Sequence, residues 1–536
     1  MAVNPASFTK ESNAVGASSR VALGILVSRV TGLIRETVIA HFFGNSSVAG
    51  VFRAAIRIPN LLGNLFGEGV LSAAFVTVYS KLRARGENQE AEHVAAAIFG
   101  VLAVVCAALV LVGVLTTPLL IGFIVPGFAS EDRRLTIHLV RILFPGAGML
   151  VMSAWCLGIL NSHRRFLLSY MAPVAMNITM ITAAVLFGQH SPQTQLVVDL
   201  AWASVVGSLL QFAVQLPRVF ELLPAFRPVL DITSENVRTV IRNFGPVSLS
   251  RGVVQISAYI DQMIASFLGP VAVSTLGYGQ VISMLPISLF SMSVSAAELP
   301  ALSSAVGTPN EIAAVLQQRL TAGLRRIAFF VIPSAVAFLI LGDILAGALY
   351  QTGHFHHADA VFVWSVLAGS AVGLLATSLG RLYSSAFYAL LDTRTPLRFA
   401  LIRVLLTASL GYIFALRMPQ WIGIGPKWGV AGLTASAGIS GWVEFALLRR
   451  ALGQRVGNTA LPTDFILKLW SVAFLGAGLG YFVKHLLGPV HPLLLAFLVL
   501  PLYGAVYFGG SLLLGIKESQ NTVLPIFRRV TRRASR

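Results

Sequence analysis

The amino-acid sequence predicts an all-α polytopic membrane protein with about fourteen transmembrane helices, arranged as two six-helix lobes and two C-terminal helices. Composition is the first observation behind this class. Of 536 residues, 56% are hydrophobic and only 11% are charged, and the mean hydropathy is +0.79. Soluble domains carry about a quarter charged residues, so this composition is typical of a chain that crosses the bilayer many times.

The second observation is the length and number of the apolar runs. A helix needs about 20 apolar residues to cross the hydrocarbon core of a bilayer. Fourteen such runs are present, and they centre near residues 32, 66, 108, 149, 179, 206, 256, 287, 336, 373, 404, 439, 474 and 504.

Two long polar interruptions divide these runs into groups of six, six and two. They are the stretches 218–243 and 449–464. We therefore predict an N-terminal lobe at 1–230, a C-terminal lobe at 231–456, and a segment at 457–536 that holds the last two spans and a basic cytoplasmic tail.

A weak internal repeat supports two related lobes. The stretch "PLLIGFIVPGF" that ends the third span resembles "ILAGALYQTGHF" at the end of the ninth. Units six spans apart have the same orientation, which predicts an axis along the membrane normal with the substrate site between the lobes.

The positions of the Lys and Arg residues behind the net charge of +18 indicate the membrane topology. Most Lys and Arg residues fall in the terminal segments and in alternate loops, which predicts that both termini are cytoplasmic. Five lie on the opposite side: Arg133, Arg134, Arg417, Lys427 and Lys484. This pattern accounts for the basicity without a nucleic-acid partner, and we expect the tail to touch anionic phospholipids.

Signals of catalysis, cofactor binding and metal binding are missing from the sequence. Cys106 and Cys156 lie in apolar segments without metal-ligand spacing, so we expect two small buried side chains. The sequence contains no Walker A loop, no HExxH and no GxSxG. We predict no catalytic residue, no cofactor, no metal site and no enzymatic activity.

Charged residues inside the spans carry the functional signal. The basic ones are Arg29, Arg35, Arg53, Arg57, Arg141, Arg251, Arg381 and Arg403. The acidic ones are Glu36, Glu68, Asp261, Glu298, Asp343 and Glu444. An ionised side chain at a helix centre costs roughly 2.5–3.5 kcal/mol on insertion scales, so these residues mark a function or a structural ion pair.

Helical spacing groups several of these charges on common stripes. Arg29 and Glu36 share one stripe, and the second span carries another, interrupted by Pro59, with Arg53, Arg57, Asn64 and Glu68. Such stripes favour a water-filled cavity. The alternative is that an arginine reaches the headgroups or pairs with a neighbouring acid. That alternative stays open for Arg57, Arg141 and Arg403, whereas the mid-span positions of Arg29 and Arg35 favour a functional role.

A cationic cavity binds an anion, and guanidinium groups match phosphate with forked hydrogen bonds. The candidate binding residues are Arg29, Arg35, Glu36, Arg53, Arg57, Glu68, Arg251 and Arg381. Asp261 is a candidate for the coupling ion, with pairing to Arg251 as the alternative. The residues thus indicate a secondary transporter or lipid translocator with an anionic substrate.

Four stretches resemble one known family. "SRVTGLIRETVIAHFFG" at 28–44, "FRAAIRIPNLLGNLFGEGVLSAAFVTVY" at 52–79, "RRFLLSYMAPVAMNITMI" at 164–181 and "FYALLDTRTPLRFA" at 387–400 resemble the MurJ (MviN) family of lipid II flippases. That family belongs to the multidrug, oligosaccharidyl-lipid and polysaccharide exporter superfamily. The resemblance covers about residues 20–516.

The resemblance implies a fold, an activity and a location. The fold would be a V of two six-helix lobes around a cationic cavity, with a groove for a polyprenyl tail along the last two spans. The activity would be flipping of undecaprenyl-diphosphate-linked peptidoglycan precursor by alternating access in the bacterial inner membrane, with cell-wall synthesis proteins as possible partners. The family's motif positions fall on Ser28, Arg29, Arg35, Glu36, Glu68 and Gly69.

The chain departs from the family pattern at Gly50, where an acid is common, and at Gly63 and Val281, where arginines are common. Three alternatives remain beside lipid II transport. They are flipping of another polyprenyl-diphosphate-linked glycan, a non-transporting membrane scaffold, and, disfavoured by the arginines, export of cationic drugs.

Overall fold

The structure is a computed structural model that describes residues 5–303, 308–488 and 490–521. For residues 5–23, Glu68, residues 249–254 and a few others it describes the backbone only. Every regular element in these ranges is helical, which confirms the all-α class.

The helices follow one another with short connections. The first ten are α1 (Pro5–Phe43), α2 (Ser47–Phe66), α3 (Glu68–Leu71), α4 (Thr77–Ala84), α5 (Asn88–Ile124), α6 (Ser130–Ser162), α7 (Phe166–Phe187), α8 (Gln193–Ala213), α9 (Leu216–Leu222) and α10 (Glu235–Ser266). The second ten are α11 (Pro270–Pro286), α12 (Ser293–Ser303), α13 (Pro309–Ile340), α14 (Gly342–Tyr350), α15 (His357–Ala389), α16 (Arg394–Tyr412), α17 (Met418–Ile422), α18 (Gly429–Val456), α19 (Thr463–Leu487) and α20 (Pro492–Leu513). π-helical turns occupy Ser72–Val76, Ile287–Met292 and Ile413–Arg417, and a 3₁₀ turn occupies Pro426–Trp428.

Twelve segments of the described chain are long and apolar enough to cross a membrane. Two further long helices, α1 and α10, cover the predicted centres near residues 32 and 256. The described part of α1 carries Arg29, Arg35 and Glu36, which lower its apolarity. All the predicted centres therefore fall within these twelve segments or on α1 and α10, and the prediction of about fourteen spans is consistent with the structure.

The chain forms two compact units. The first comprises Met1–Met263 with Thr352–His354, and the second comprises Ile264–Gln351 with Phe355–Arg536. The predicted lobes at 1–230 and 231–456 and the segment 457–536 stay predictions.

In the first unit, α1 packs on α7, α2 packs on α6, and α8 packs on both α6 and α7. A core of apolar side chains joins α4, α5 and α6 around the fully buried Trp155 and Phe75. Burial of a large aromatic side chain removes about 150–250 Å² from solvent, so this core supplies much of the unit's packing.

Residues Thr352–His354 belong to the first unit because they lie against the end of α1. The His354 amide donates to the His41 carbonyl at 2.8 Å. Gly44 has φ +60, and a Cβ atom there would lie 2.4 Å from the His354 carbonyl oxygen. A left-handed backbone and this close approach together require glycine at position 44.

The second span is interrupted at Gly67. Helix α2 continues through Pro59 and ends at Phe66, and Gly67 has φ -82 and ψ -154. A Cβ atom on Gly67 would lie 2.1 Å from the Gly63 carbonyl oxygen. Pro59 thus lies inside α2 without ending it, because membrane helices tolerate a proline when neighbouring groups satisfy the freed carbonyl.

In the second unit, α15 packs on α11, α13, α14 and α18, and α16 packs on α18. The last two spans, α19 and α20, pair with each other. The Tyr503 hydroxyl donates to the Pro333 carbonyl at 2.7 Å, and the Tyr507 hydroxyl donates to the Phe329 carbonyl at 2.6 Å. These bonds fix α20 against α13.

Candidate anion-binding site

A carboxylate shared by two guanidinium groups forms the centre of the candidate site in the first unit. Arg35 Nη2 donates to Glu36 Oε1 at 2.9 Å, and Arg53 Nη2 donates to Glu36 Oε2 at 2.9 Å. The Glu36 side chain is only 12% exposed, whereas Arg35 is 25% and Arg53 16% exposed. The cluster therefore joins α1 to α2 through charged hydrogen bonds, which are roughly twice as strong as neutral ones.

Asn177 on α7 holds the other side of Arg35. Arg35 Nη1 donates to Asn177 Oδ1 at 3.0 Å, and Asn177 Nδ2 donates to Thr31 Oγ1 at 3.1 Å. Both functional atoms of the amide are thus used. Sequence reasoning missed this residue, although an asparagine inside an apolar span is itself a signal of a buried polar contact.

Small residues on α1 allow Asn177 to reach Arg35. A Cβ atom on Gly24 would lie 2.9 Å from Tyr170 Cβ, and one on Gly32 would lie 3.7 Å from Asn177 Nδ2. Close approach of two membrane helices at small residues is a common packing mode. The α1–α7 contact therefore sets the orientation of the Arg35 guanidinium.

The cluster has an excess of positive charge. Arginine stays protonated in proteins, so Arg35, Arg53 and Glu36 together carry one net positive charge. Arg35 Nε and Arg53 Nε are both buried, although each side chain as a whole is partly exposed. The geometry suits a ligand that presents oxygen atoms with negative charge.

Arg29 occupies a different environment. Its side chain is exposed, and it makes no ion pair within the residues whose side chains the structure describes. It precedes Glu36 by seven residues on α1, which is about 10 Å along the helix axis. Arg29 therefore adds an exposed positive charge on the stripe that leads to the cluster of Arg35, Glu36 and Arg53.

Arg57 and Asp261 lie near each other in the first unit. The Tyr259 hydroxyl donates to the Arg57 carbonyl at 3.0 Å, which joins α10 to α2. The Asp261 carboxylate attracts the Arg57 guanidinium electrostatically. The structure thus brings the coupling-ion candidate next to Arg57. The side chains of Arg251 and Glu68 lie outside the described residues.

Arg381 belongs to the second unit. There Arg403 Nη1 donates to Glu444 Oε2 at 3.0 Å. This ion pair matches the structural alternative that the sequence left open for Arg403. Arg381 lies within electrostatic range of both residues. Arg141 is exposed and has no ion pair in the described part of the chain.

The remaining acids of the spans also have basic neighbours. Lys484 Nζ pairs with Asp343, and Arg319 Nη1 lies 3.8 Å from Glu298 Oε2. Each acid of the spans whose side chain the structure describes therefore has a basic neighbour. The arginines of the spans outnumber these acids, so the spans keep a net positive charge.

Metal binding finds no support in the described ranges, which contain no group of three His, Cys, Asp or Glu side chains placed to hold an ion. Cys106 and Cys156 are both free and buried, as predicted.

Solved structures share this fold. One described as "Lipid II flippase MurJ, inward closed conformation" superposes with a TM-score of 0.72 at 23% identity, covering 91% of this chain and 98% of that chain. An inward-facing multidrug resistance MATE family transporter of the MOP superfamily gives a TM-score of 0.62 at 16% identity, covering 83% of this chain and 100% of that chain. These likenesses concern the fold alone. The fold and the apolar helices together define a multi-pass membrane protein with charged clusters in its spans.

Sequence comparison gives the family. The family model "Lipid II flippase MurJ" matches residues 39–500. A protein named lipid II flippase MurJ from Burkholderia cenocepacia is 31% identical over 511 residues, which cover 92% of this chain and 96% of the relative. A probable lipid II flippase MurJ from Rhizobium tropici is 31% identical over 517 residues, which cover 91% of this chain and 92% of the relative. The chain belongs to the lipid II flippase MurJ family.

Proposed function

We propose that this protein moves lipid II, the undecaprenyl-diphosphate-linked peptidoglycan precursor, from the inner to the outer leaflet of the bacterial cytoplasmic membrane by alternating access. The protein acts as a transporter, and both of its termini lie in the cytoplasm. The observation that carries the proposal is the cluster in which Glu36 pairs with both Arg35 and Arg53, which leaves one net positive charge. Family membership supports the choice of substrate.

The diphosphate is the part of this substrate that the cluster recognises. Phosphate oxygens accept forked hydrogen bonds from guanidinium groups. In the proposed complex, Arg35 and Arg53 bind the diphosphate while Asn177 keeps Arg35 in place. Exposed Arg29 makes the first electrostatic contact. The polyprenyl tail stays in the apolar environment beside α19 and α20.

Roles for the other candidate residues follow from their surroundings. We propose that Asp261 binds the coupling cation and that Arg57 competes with that cation for the carboxylate, because the two residues attract each other. A displaced Arg57 would then be available to an anion. Arg251 and Glu68 remain proposed members of the site on the strength of their positions in the sequence.

The test is complementation in bacteria depleted of their own lipid II flippase. Loss of one hydrogen bond to a charged group costs about 1.5–3 kcal/mol, and about 1.4 kcal/mol corresponds to a factor of ten. Arg35→Ala and Arg53→Ala should therefore cut transport at least tenfold. Arg141→Ala is the matched control, because it removes an exposed span arginine outside the cluster, and it should transport normally.

The measured quantity is lipid II on the inner leaflet, together with the amount of folded protein in the membrane. Failure of the wild-type chain to relieve lipid II accumulation, despite normal insertion, would exclude lipid II and favour another polyprenyl-linked glycan. Normal transport by both cluster variants would exclude the proposed binding mechanism for any substrate. A scaffold without transport activity predicts that the wild-type chain and both cluster variants behave alike, with none of them relieving lipid II accumulation.

A further inference from the structure

A second charged cluster lies in the second unit, where α15 and α18 touch backbone to backbone. A Cβ atom on Gly373 would lie 2.2 Å from Gly438 Cα. The Trp442 indole N–H donates to the Val372 carbonyl at 2.7 Å. The two helices run parallel, because Gly369 on α15 lies against Thr434 on α18 and Thr377 lies against Gly441, so residue numbers rise in the same direction on both.

The charges of this cluster follow about two turns beyond the glycine contact. Arg403 on α16 donates from Nη1 to Glu444 Oε2 at 3.0 Å. Arg381 on α15 lies in electrostatic range of both Arg403 and Glu444. Arg403 pairs with Glu444 and Arg381 lies nearby without an ion pair in the described ranges, so the cluster keeps one net positive charge.

One hydrogen-bond donor of Arg381 is unused in the described part of the chain. Its Nε atom is buried and has no hydrogen-bond partner within the described ranges of the chain. A buried polar group without a partner costs free energy, and more so when the group is charged. An anion placed beside Arg381 would provide an acceptor and would also neutralise the excess charge.

The position of the cluster suits a headgroup. Arg381 lies eight residues before the end of α15, and Arg403 lies nine residues after the start of α16, so each is about 12–14 Å from a helix end on the same side of the unit. Tyr388, two turns after Arg381 on the same face of α15, is 47% exposed. Its hydroxyl is within electrostatic range of Glu444.

We infer that Arg381, Arg403 and Tyr388 form a binding site for a phosphate group, separate from the cluster of the first unit. Arg381 would bind phosphate oxygens through Nε and one terminal nitrogen, and Tyr388 would donate from its hydroxyl. Glu444 would keep Arg403 in place. The ligand is a phosphate ester, either the headgroup of an anionic membrane lipid or a soluble phosphate compound. This inference does not rest on lipid II as the transported substrate.

Two probes distinguish the sources of the phosphate. The full-length protein is placed in phosphatidylcholine nanodiscs with or without phosphatidylglycerol, and native mass spectrometry counts retained phosphatidylglycerol molecules. In parallel, the protein in neutral detergent is titrated with pyrophosphate in an Arg35→Ala background, which weakens the first-unit site, and thermal stabilisation is measured. A ligand that binds only the folded state raises the stability in proportion to its occupancy.

The variants are Arg381→Gln, Arg381→Lys and, as the matched control, Arg398→Gln, which removes an exposed arginine of α16. Arg381→Gln should weaken binding of one of the two probes about tenfold or more, and Arg398→Gln should bind like wild type. Arg381→Lys should bind with intermediate affinity, because lysine keeps the positive charge but lacks the two parallel N–H donors of a guanidinium group. Without ligand, Arg381→Gln should be at least as heat-stable as wild type, because the excess charge is gone.

Each outcome decides the inference. If Arg381→Gln weakens only the binding of phosphatidylglycerol, the ligand is a lipid headgroup. If it weakens only the binding of pyrophosphate, the ligand is a soluble phosphate. Equal binding of both probes by wild type and Arg381→Gln would overturn the site, and so would binding of neither probe by the wild-type protein. An Arg35→Ala variant should keep the Arg381-dependent binding, so the site and the proposed function can fail independently.

Discussion

Asn177 illustrates how one neutral side chain controls a charged site. Its amide oxygen accepts from Arg35 and its amide nitrogen donates to Thr31, so the guanidinium group has one fixed orientation. The amide adds no charge to the cluster of Arg35, Glu36 and Arg53. It therefore provides rigidity and leaves the net charge available for a ligand.

Substitution of Asn177 by Asp separates these two contributions. Aspartate keeps an acceptor for Arg35 and strengthens the ion pair, but it cancels the excess positive charge. We expect Asn177→Asp to remain folded and to bind pyrophosphate at least tenfold more weakly at the first-unit site, whereas Asn88→Asp, which adds the same charge at the exposed start of α5, should have no effect. Titration in an Arg381→Gln background isolates the site. Unchanged affinity would show that the charge of the cluster does not attract anions.

At the scale of helices, side-chain hydrogen bonds connect the ends of neighbouring helices as well as the interiors of the spans. The Tyr79 hydroxyl on α4 lies 2.8 Å from Nε2 of His163, which follows the last residue of α6. Burial, and then the positive charges of Arg83 and Arg165, lower the pKa of His163 to about 4. The neutral ring is therefore the form that supports this helix contact.

The pH dependence of stability follows from this lowered pKa. An unfolded histidine titrates near pH 6.5. Between about pH 6.5 and pH 4 the unfolded state binds the proton and the folded state does not, so protonation favours unfolding and stability falls as the pH drops. We expect the unfolding midpoint in detergent to decrease through this window. His163→Gln should show a shallower decrease, and an identical slope would contradict the assignment.

Apolar run length predicted the helices of this chain well, because about 20 apolar residues are needed for any span. It did not predict which side chains meet. Glu36 and Arg53 are neighbours across the α1–α2 turn, whereas Asn177 reaches Arg35 from 142 positions away. That contact depends on the close packing at Gly24, and helix-packing geometry is not encoded in hydropathy. The family resemblance identified Arg35 and Glu36 as motif positions, but it did not indicate Arg53 as their partner.

At the scale of the whole molecule, the distribution of Lys and Arg predicts the orientation in the membrane. A reporter fused after Arg536 should be active in the cytoplasm, and one inserted near Gln193, at the start of α8, should be active outside. Paired reporters such as alkaline phosphatase and a fluorescent protein measure both positions. A periplasmic signal from the C-terminal fusion would reverse the assignment of every loop.

The double pairing of Glu36 has a consequence for how a bound anion leaves. In the mechanism proposed above, a diphosphate at Arg35 and Arg53 competes with Glu36 for the two guanidinium groups, so any contact that Glu36 gives up offsets part of the binding free energy. When the anion departs, Glu36 recaptures both guanidinium groups. In that mechanism the carboxylate restores the ion pairs of the empty site after each cycle, and it keeps the product from binding too tightly for turnover.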